Sequence, residues 1–425
     1  MPPIRFIHAA DLHLDAAFSG LSRDIPADFA ERLRTATFTA FRRLLDLCER
    51  ESPDFLLLAG DVYNQEDASV SAQLALRDGF RRLESLSIPV FLVHGNHDPL
   101  ASRLRSVRWP GNVTVFGELP DAVPVFRKGE GTPLAIIHGA SHASGRETRN
   151  LAALFRRTEA CGLHVGLLHS TPGDADGVAR YAPFSQGDLK ASGMDYWALG
   201  HIHDRREVCR EPLAAYPGCT QGLHINEPGE KGCLLVTAEA RPDGGYAVRT
   251  SFRPLGPAVW KTLDMDLGGA ASLDELENRL RTGLDRAVAE VWSGCEMLLV
   301  RLRLQGRTEL DGLLRKGTTC AELADRLRED GSGVPRIWIK DIDVATRPCV
   351  ERGALLERED LLGEVFRLSE AARTASGLQA LREGPLAPLF AHARAGKALE
   401  PLTDEELARL LDDAESLCLD LLEND

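Results

Sequence analysis

Five short apolar runs in the first half of the chain end in side chains that can hold a metal ion or move a proton. "IRFIHAADLH" ends in Asp11 and His13, and "DFLLLAGD" in Asp61. "VFLVHGNHD" ends in Asn96, His97 and Asp98, "LHVGLLHS" in His169, and "DYWALGHIH" in His201 and His203. Asp11, Asp61 and Asn96 offer oxygen, while His13, His169, His201 and His203 offer imidazole nitrogen. No thiol stands among them. A mixed oxygen and nitrogen set suits manganese, iron or zinc and disfavours a structural thiolate zinc site. Seven donors are too many for one tetrahedral ion and match two ions sharing a carboxylate. Two ions about 3.5–4 Å apart can hold an attacking hydroxide and stabilise a phosphoryl oxygen during in-line displacement. An imidazole aimed at the same point can stabilise the transition state or protonate the leaving oxygen. Each run alone is commonplace. The signal lies in their order: D-x-H, GD, GNHD, a strand-end His, then GHIH.

The runs are short enough for buried strands, and helical patterns separate several of them. Residues 26–51 and 69–86 carry apolar positions at helical spacing. Strand–helix–strand alternation predicts a sheet covered by helices on its faces. Ligands of such sheets gather beyond the carboxyl ends of the strands, where all five clusters fall. Positions i and i+2 of an extended segment share a side, so His201 and His203 are expected to face one cluster. After residue 210, Gly/Pro turns and strands follow without helices, and they are expected to form a second sheet closing a two-sheet core. "RPLGPAVW" (253–260) reads as a boundary. A small α/β unit follows, with strands near 259–266, in "EMLLVRLRLQG" and in "PRIWIKDIDV". Its helices open at Ser272 and near Thr319, each with a Glu three residues on as a capping box. Past residue 350 the chain reads as helical. Its last helix is capped by Thr403 and Glu406 and carries a stripe of Leu407, Leu410, Leu411, Leu417 and Leu421.

At 425 residues, two or three domains are expected. No apolar run approaches the roughly 20 residues that span a bilayer. The opening "MPPIRFIHAADLH" lacks the pattern of a signal peptide, so a cytoplasmic protein is expected. The nine cysteines are scattered without a C-x-x-C pair, as for reduced thiols. Net charge is −14, and residues 351–425 hold 17 acidic against 8 basic side chains. That acidic tail repels phosphate backbones, so nucleic-acid contact belongs elsewhere.

The ordered motifs resemble the calcineurin-like metallophosphoesterases. Within them the chain is most similar to the SbcD-type DNA repair nucleases and their YhaO-like branch. "FIHAADLHL", "LLLAGDVYN", "VHGNHD" and "GHIH" carry the likeness, supported by "YPGCTQG" and "GEKG". It implies a four-layer α/β/β/α two-sheet core at 1–255 and a small α/β capping domain at 256–350; the acidic helical tail at 351–425 reads as a partner-binding element or a packed appendage. It also implies that Asp11, His13 and His203 hold one ion, that Asp61 bridges, and that Asn96, His169 and His201 complete the second. His97 would be the transition-state and leaving-group histidine, oriented by Asp98. The family usually prefers manganese, with iron or zinc as alternatives here. It cuts DNA from its ends with some endonuclease activity, and works with an SMC-like, SbcC-type ATPase, often as a homodimer. Several members place a histidine three residues after the bridging aspartate, where this chain has Asn64. An amide can still hydrogen-bond phosphate but cannot donate a proton as imidazolium.

Other residues carry weaker expectations. His8 reads as structural, His94 as a support for the GNHD turn, and His138 and His142 as site-lining at best. Arg205 and His224 are candidate substrate contacts, and Arg206 follows on the same loop. Arg301, Arg303, Arg307, Arg315 and Lys316 could meet a DNA backbone. The leading reading is a two-metal phosphodiesterase acting on DNA in repair or end processing. Its alternatives are a phosphatase or cyclic-nucleotide phosphodiesterase on the same fold, and a non-catalytic DNA-binding scaffold of an ATPase complex.

Overall fold

The computed structural model describes residues 2–21, 25–63, 69–101, 107–173, 180–242, 244–329, 333–349, 352–392 and 402–422. Asn64 lies outside them. The apolar runs become strands. β1 (Ile4–Ala9), β2 (Phe55–Ala59), β3 (Val90–Val93) and β4 (Val113–Val115) are parallel neighbours in one sheet. The other sheet starts with β5 (Asp121–Val125), antiparallel to β6 (Ala135–Ala140). It continues through β7 (Leu163–His169) and β8 (Tyr196–Gly200), both parallel to β6. β9 (Arg206–Arg210) and β10 (Leu213–Tyr216) finish it in the order β5-β6-β7-β8-β10-β9. The chain then returns to the first sheet. β11 (Gly232–Ala240) pairs antiparallel with β1, and β12 (Tyr246–Pro254) with β11.

This return corrects one expectation. The strands after residue 210 do not build the second sheet by themselves. That sheet begins at β5, whose half-exposed "DAVPV" gives little pattern to read. The turns after residue 216 mark a crossing back that covers the open edge of β1.

Side chains from both sheets interleave between them. Phe6, Phe55, Leu57, Phe91 and Val93 meet Ile137, Val165, Leu167, Tyr196 and Ala198. Phe6 stacks on Phe55 at 4.7 Å and meets Tyr196 edge-on at 5.5 Å. Such aromatic pairs add about 0.5–1.5 kcal/mol each beyond area burial. α1 (Ala27–Arg34) leads into α2 (Ala36–Glu51), which with α3 (Val70–Ser85) covers the outer face of the first sheet. Phe41, Leu44, Leu45, Leu76 and Phe80 make that contact. The outer face of the second sheet is covered more thinly, by a 3₁₀ turn at Ala152–Leu154 and α4 (Gln186–Ala191) around Phe155, Leu189 and Trp197. The architecture is the expected α/β/β/α.

A three-stranded sheet follows, β13 (Ala258–Asp266), β14 (Met297–Thr308) and β15 (Arg336–Pro348), in that order. With it come α5 (Leu273–Glu290), α6 (Asp311–Leu314) and α7 (Gly317–Glu329). Trp260, Met297 and Trp338 of this sheet pack with Phe29 and Leu33 of α1 and with Ile225. The chain divides into two compact units. One comprises Met1–Asp266, Asp274–Gln305 and Leu313–Ala345, and the other Leu267–Leu273, Gly306–Gly312 and Thr346–Asp425. The latter carries α8 (Arg352–Leu356), α9 (Leu361–Ala372), α10 (Ala375–Glu383), α11 (Ala387–Ala391) and α12 (Asp404–Leu422). Leu355, Leu362, Phe366 and Leu419 form its core. The α12 stripe divides: Leu407 is buried, whereas Leu410, Leu417 and Leu421 are exposed. Among the described residues, no helix is long and apolar enough to cross a membrane.

Candidate metal centre

The polar residues of each apolar run lie at or just beyond the carboxyl end of β1, β2, β3, β7 or β8. The backbone there is strained. Asp11 (φ 50°), His13 (φ 40°), Asp61 (φ 49°) and His201 (φ 101°) all take positive φ. Each such residue costs on the order of 1–3 kcal/mol and persists only where its surroundings enforce it. Here the loops after β1 and β2 are laced together. The amides of Asp11, His13 and Leu14 donate to the carbonyls of Gly60, Asp61 and Val62 at 3.1, 3.1 and 3.0 Å. His201 N–H donates to both carboxylate oxygens of Asp11, at 3.2 and 3.1 Å. Two motif glycines are required by close approach. A Cβ on Gly95 would stand 2.2 Å from Asp61 Oδ1, and one on Gly200 1.8 Å from the Ala59 carbonyl.

The side chains converge in two groups. Donor atoms of Asp11, His13 and His203 lie within 4.8 Å of one another, as do those of Asp61, His169 and His201. Nε2 of His13 and Nε2 of His203 face each other at 3.1 Å. Nε2 of His169 lies 3.3 Å from Asp61 Oδ2 and 3.0 Å from Asn96 Oδ1. The exposed His97 donates its backbone N–H to Asp61 Oδ1 at 3.0 Å, with its ring 5.2 Å from that of His13. The two histidines of GHIH therefore serve different groups. His201 lies past the end of β8 with positive φ, so the same-side rule for extended chain does not apply.

Two imidazoles have their tautomers fixed from behind. His169 Nδ1–H donates to the Ala59 carbonyl at 2.9 Å, and His203 Nδ1 meets Glu227 Oε1 at 2.6 Å. Each then turns Nε2 to the cluster. His142 Nε2 donates to the His169 carbonyl at 2.6 Å. Asp98 acts through the backbone. Its carboxylate accepts from Gly95 and Val62 N–H at 2.7 and 3.0 Å and stands 3.3 Å from His94 Nδ1. It thus holds the turn that presents His97.

Burial pushes the Asp11 carboxyl up to about 6 against the charges of His169 and His203. Burial acts the same way on Asp61, but the charge and hydrogen bond of His169 outweigh it and hold this carboxyl far below the usual range. Burial would lower His169, yet Asp61 raises it to about 9. Protons thus gather on imidazoles between carboxylates, and a divalent cation would displace them. The oxygen and imidazole donors, in two compact groups, fit such an ion.

The other sequence candidates scatter. Arg205 and His224 stand outside both donor groups. The Arg205 guanidinium stacks over Phe252 at 3.9 Å, and His224 Nδ1 accepts from Asn226 N–H at 3.1 Å. His8 bonds Tyr196 Oη at 2.9 Å and the Leu199 carbonyl at 3.2 Å, a link within the core. His138 does not line the site and instead pairs with His164 at 2.9 Å. Arg301 forms a two-point pair with Asp341 at 2.6 and 2.9 Å, and Arg303 meets Asp343 at 3.3 Å, so neighbouring acids neutralise both.

Three residues near the centre escaped sequence reasoning. Glu227 supports His203 from 24 positions away, on a Gly/Pro-rich loop without periodicity. The Tyr181 ring stands edge-on to His201 at 5.2 Å. Cys219 places a thiol within 4.8 Å of donor atoms of His203 and Glu227. Burial pushes this thiol far above its ordinary value, so it is a neutral neighbour.

A family model described as calcineurin-like phosphoesterase matches residues 4–205. A second, described as metallophosphoesterase YhaO, middle domain, matches residues 260–347. The chain belongs to the calcineurin-like metallophosphoesterases. Within that class it is similar to the uncharacterized metallophosphoesterase YhaO of Bacillus subtilis (strain 168), 35% identical over 392 residues, covering 90% of this chain and 91% of the relative. It is also similar to the DNA double-strand break repair protein Mre11 of Aeropyrum pernix, 28% identical, covering 68% and 69%. Mre11 of Sulfurisphaera tokodaii is 26% identical, covering 48% and 50%. The calcineurin-like fold binds a dinuclear metal centre, and the two donor groups are candidate ligands for it.

Proposed function

We propose that this metallophosphoesterase is a manganese-dependent DNA exonuclease with some endonuclease activity, serving DNA repair or end processing. The observation that carries the reading is the pair of donor groups, Asp11–His13–His203 and Asp61–His169–His201, beside the exposed His97. The Mre11 relatives, named for DNA double-strand break repair, support DNA as substrate. In this reading Asp11, His13 and His203 hold one ion, Asn96, His169 and His201 the other, and Asp61 bridges. Bound divalent ions would supply Lewis acidity at a phosphoryl oxygen and a water of lowered pKa. His97, anchored through Asp61 and the turn that Asp98 clamps, protonates the leaving oxygen. Tyr181 stands beside His201, and Arg205, His224 and Asn64 contact the strand. The same reading includes an SMC-like ATPase partner, a homodimer, a cytoplasmic location, and division into nuclease (1–255), capping (256–350) and partner-binding (351–425) regions.

The purified protein, supplied with manganese, is tested on a labelled DNA duplex beside a panel of small phosphoesters. Nucleotides released from duplex ends are the expected result. Turnover of small esters without DNA cleavage would point to a phosphatase or cyclic-nucleotide phosphodiesterase. Bound metal with no turnover of either would point to a scaffold.

A further inference from the structure

The two donor groups are backed by different chemistry. Behind His169 stands a neutral backbone carbonyl, that of Ala59. Behind His203 stands a carboxylate, Glu227, at 2.6 Å from Nδ1. We infer that Glu227 is a positioning residue for His203, and that it sets the affinity of the Asp11–His13–His203 position separately from the other. This inference rests on the metal-centre reading above.

The geometry gives Glu227 little choice of partner. Its second oxygen accepts from Leu223 N–H at 2.7 Å, and the side chain is 20% exposed. With one oxygen spent on the loop, the other aims at His203. An ionised carboxylate only accepts, so it selects the tautomer with the proton on Nδ1 and leaves the Nε2 lone pair toward His13 and Asp11. The same loop also fixes the His203 backbone. Cys219 N–H and Lys231 Nζ donate to the His203 carbonyl at 3.2 and 3.1 Å, and Lys231, 5% exposed, also reaches Asp204 at 3.1 Å.

The loop is itself secured on its far side. Trp260 Nε1–H donates to the Gly222 carbonyl at 3.1 Å, and Gly229 N–H donates to the Trp260 carbonyl at 2.9 Å. Gln221 bonds both the N–H and the carbonyl of Ala258, at 3.1 and 2.9 Å. Ring orientation at His203 is thus referred to β13, whereas that of His169 is referred to β2. A carboxylate behind an imidazole raises its basicity as a ligand, which a carbonyl does less.

The test is manganese titration by calorimetry of the metal-free full chain, comparing wild type with Glu227→Gln and Glu227→Ala. Gln keeps an acceptor oxygen and loses the charge, whereas Ala loses both. One of two manganese equivalents should weaken by about 10- to 100-fold in Glu227→Ala and by less in Glu227→Gln, the other staying unchanged. ¹⁵N spectra of the metal-free protein at alkaline pH, where the imidazole is neutral, should show His203 protonated on Nδ1 in wild type and mixed between tautomers in Glu227→Ala. Equal weakening of both equivalents, with a lowered melting temperature, would assign Glu227 a merely structural role and overturn the inference. So would two unchanged affinities. If wild type binds no second equivalent, the metal-centre reading itself fails, and the ¹⁵N spectra then decide whether Glu227 governs the His203 proton.

Discussion

His97 differs from its neighbours in being exposed while its backbone is tied down at Asp61. Loss of its ring should leave the donor groups intact. His97→Ala is therefore expected to bind manganese in the same stoichiometry by calorimetry while phosphoester turnover falls about 10²- to 10⁴-fold. Full turnover in that variant would remove His97 from the chemistry. The two motif glycines give a paired prediction. A methyl at Gly95 meets the Asp61 and His169 side chains of the second donor group, whereas one at Gly200 meets the backbone of β2. Gly95→Ala should impair metal binding more than folding. Gly200→Ala should lower unfolding stability by at least the 1–3 kcal/mol typical of overpacking, seen as a reduced urea midpoint. At this scale the sequence was informative where a residue follows a strand in a fixed order, as with Asp11 or His169. It was silent on Glu227 and Tyr181, which reach the centre from loops whose course depends on tertiary packing.

Among elements, the contact of β1 with β8 joins the two sheets through His8, Tyr196 and Leu199. Burial lowers His8 from 6.5 to about 3, so the native state favours a neutral ring. The unfolded chain takes the proton first on acidification. The stability from this group is therefore complete above pH 6.5 and declines as pH falls from 6.5 toward 3. Urea unfolding followed against pH, with metal chelated, should show a shallower decline for His8→Gln than for wild type. Identical slopes would mean that His8 is not the group taking up the proton. The long helices α2 and α3 were legible because their apolar positions recur at helical spacing over four turns or so. β5 was not, because its half-exposed residues carry no periodic mark, and the return of β11 was not, because the strand it joins is chosen by tertiary packing.

For the whole molecule, charge and units both matter. Arg301 and Arg303, candidates for DNA contact in sequence, are spent on Asp341 and Asp343. The tail adds 17 acidic side chains against 8 basic. Every residue of the two donor groups belongs to the first unit, while Phe366 lies in the core of the second. Phe366→Ala should cost the second unit about 3–5 kcal/mol, seen as faster proteolysis within 352–422, with manganese affinity unchanged. A fall in manganese affinity would show that the units are energetically coupled.

The placement of the candidate ligands across two sheets has a consequence for assembly. Asp11, Asp61 and Asn96 come from loops of the first sheet, and His169, His201 and His203 from the second. A half-folded chain, with only one sheet formed, would offer an incomplete set to either ion. Ions that bind only the finished arrangement would act as a latch between the sheets. They would hold the docked state by mass action and leave an ill-docked chain unrewarded. Metal supply would then govern how long the folded protein survives as well as whether it can act.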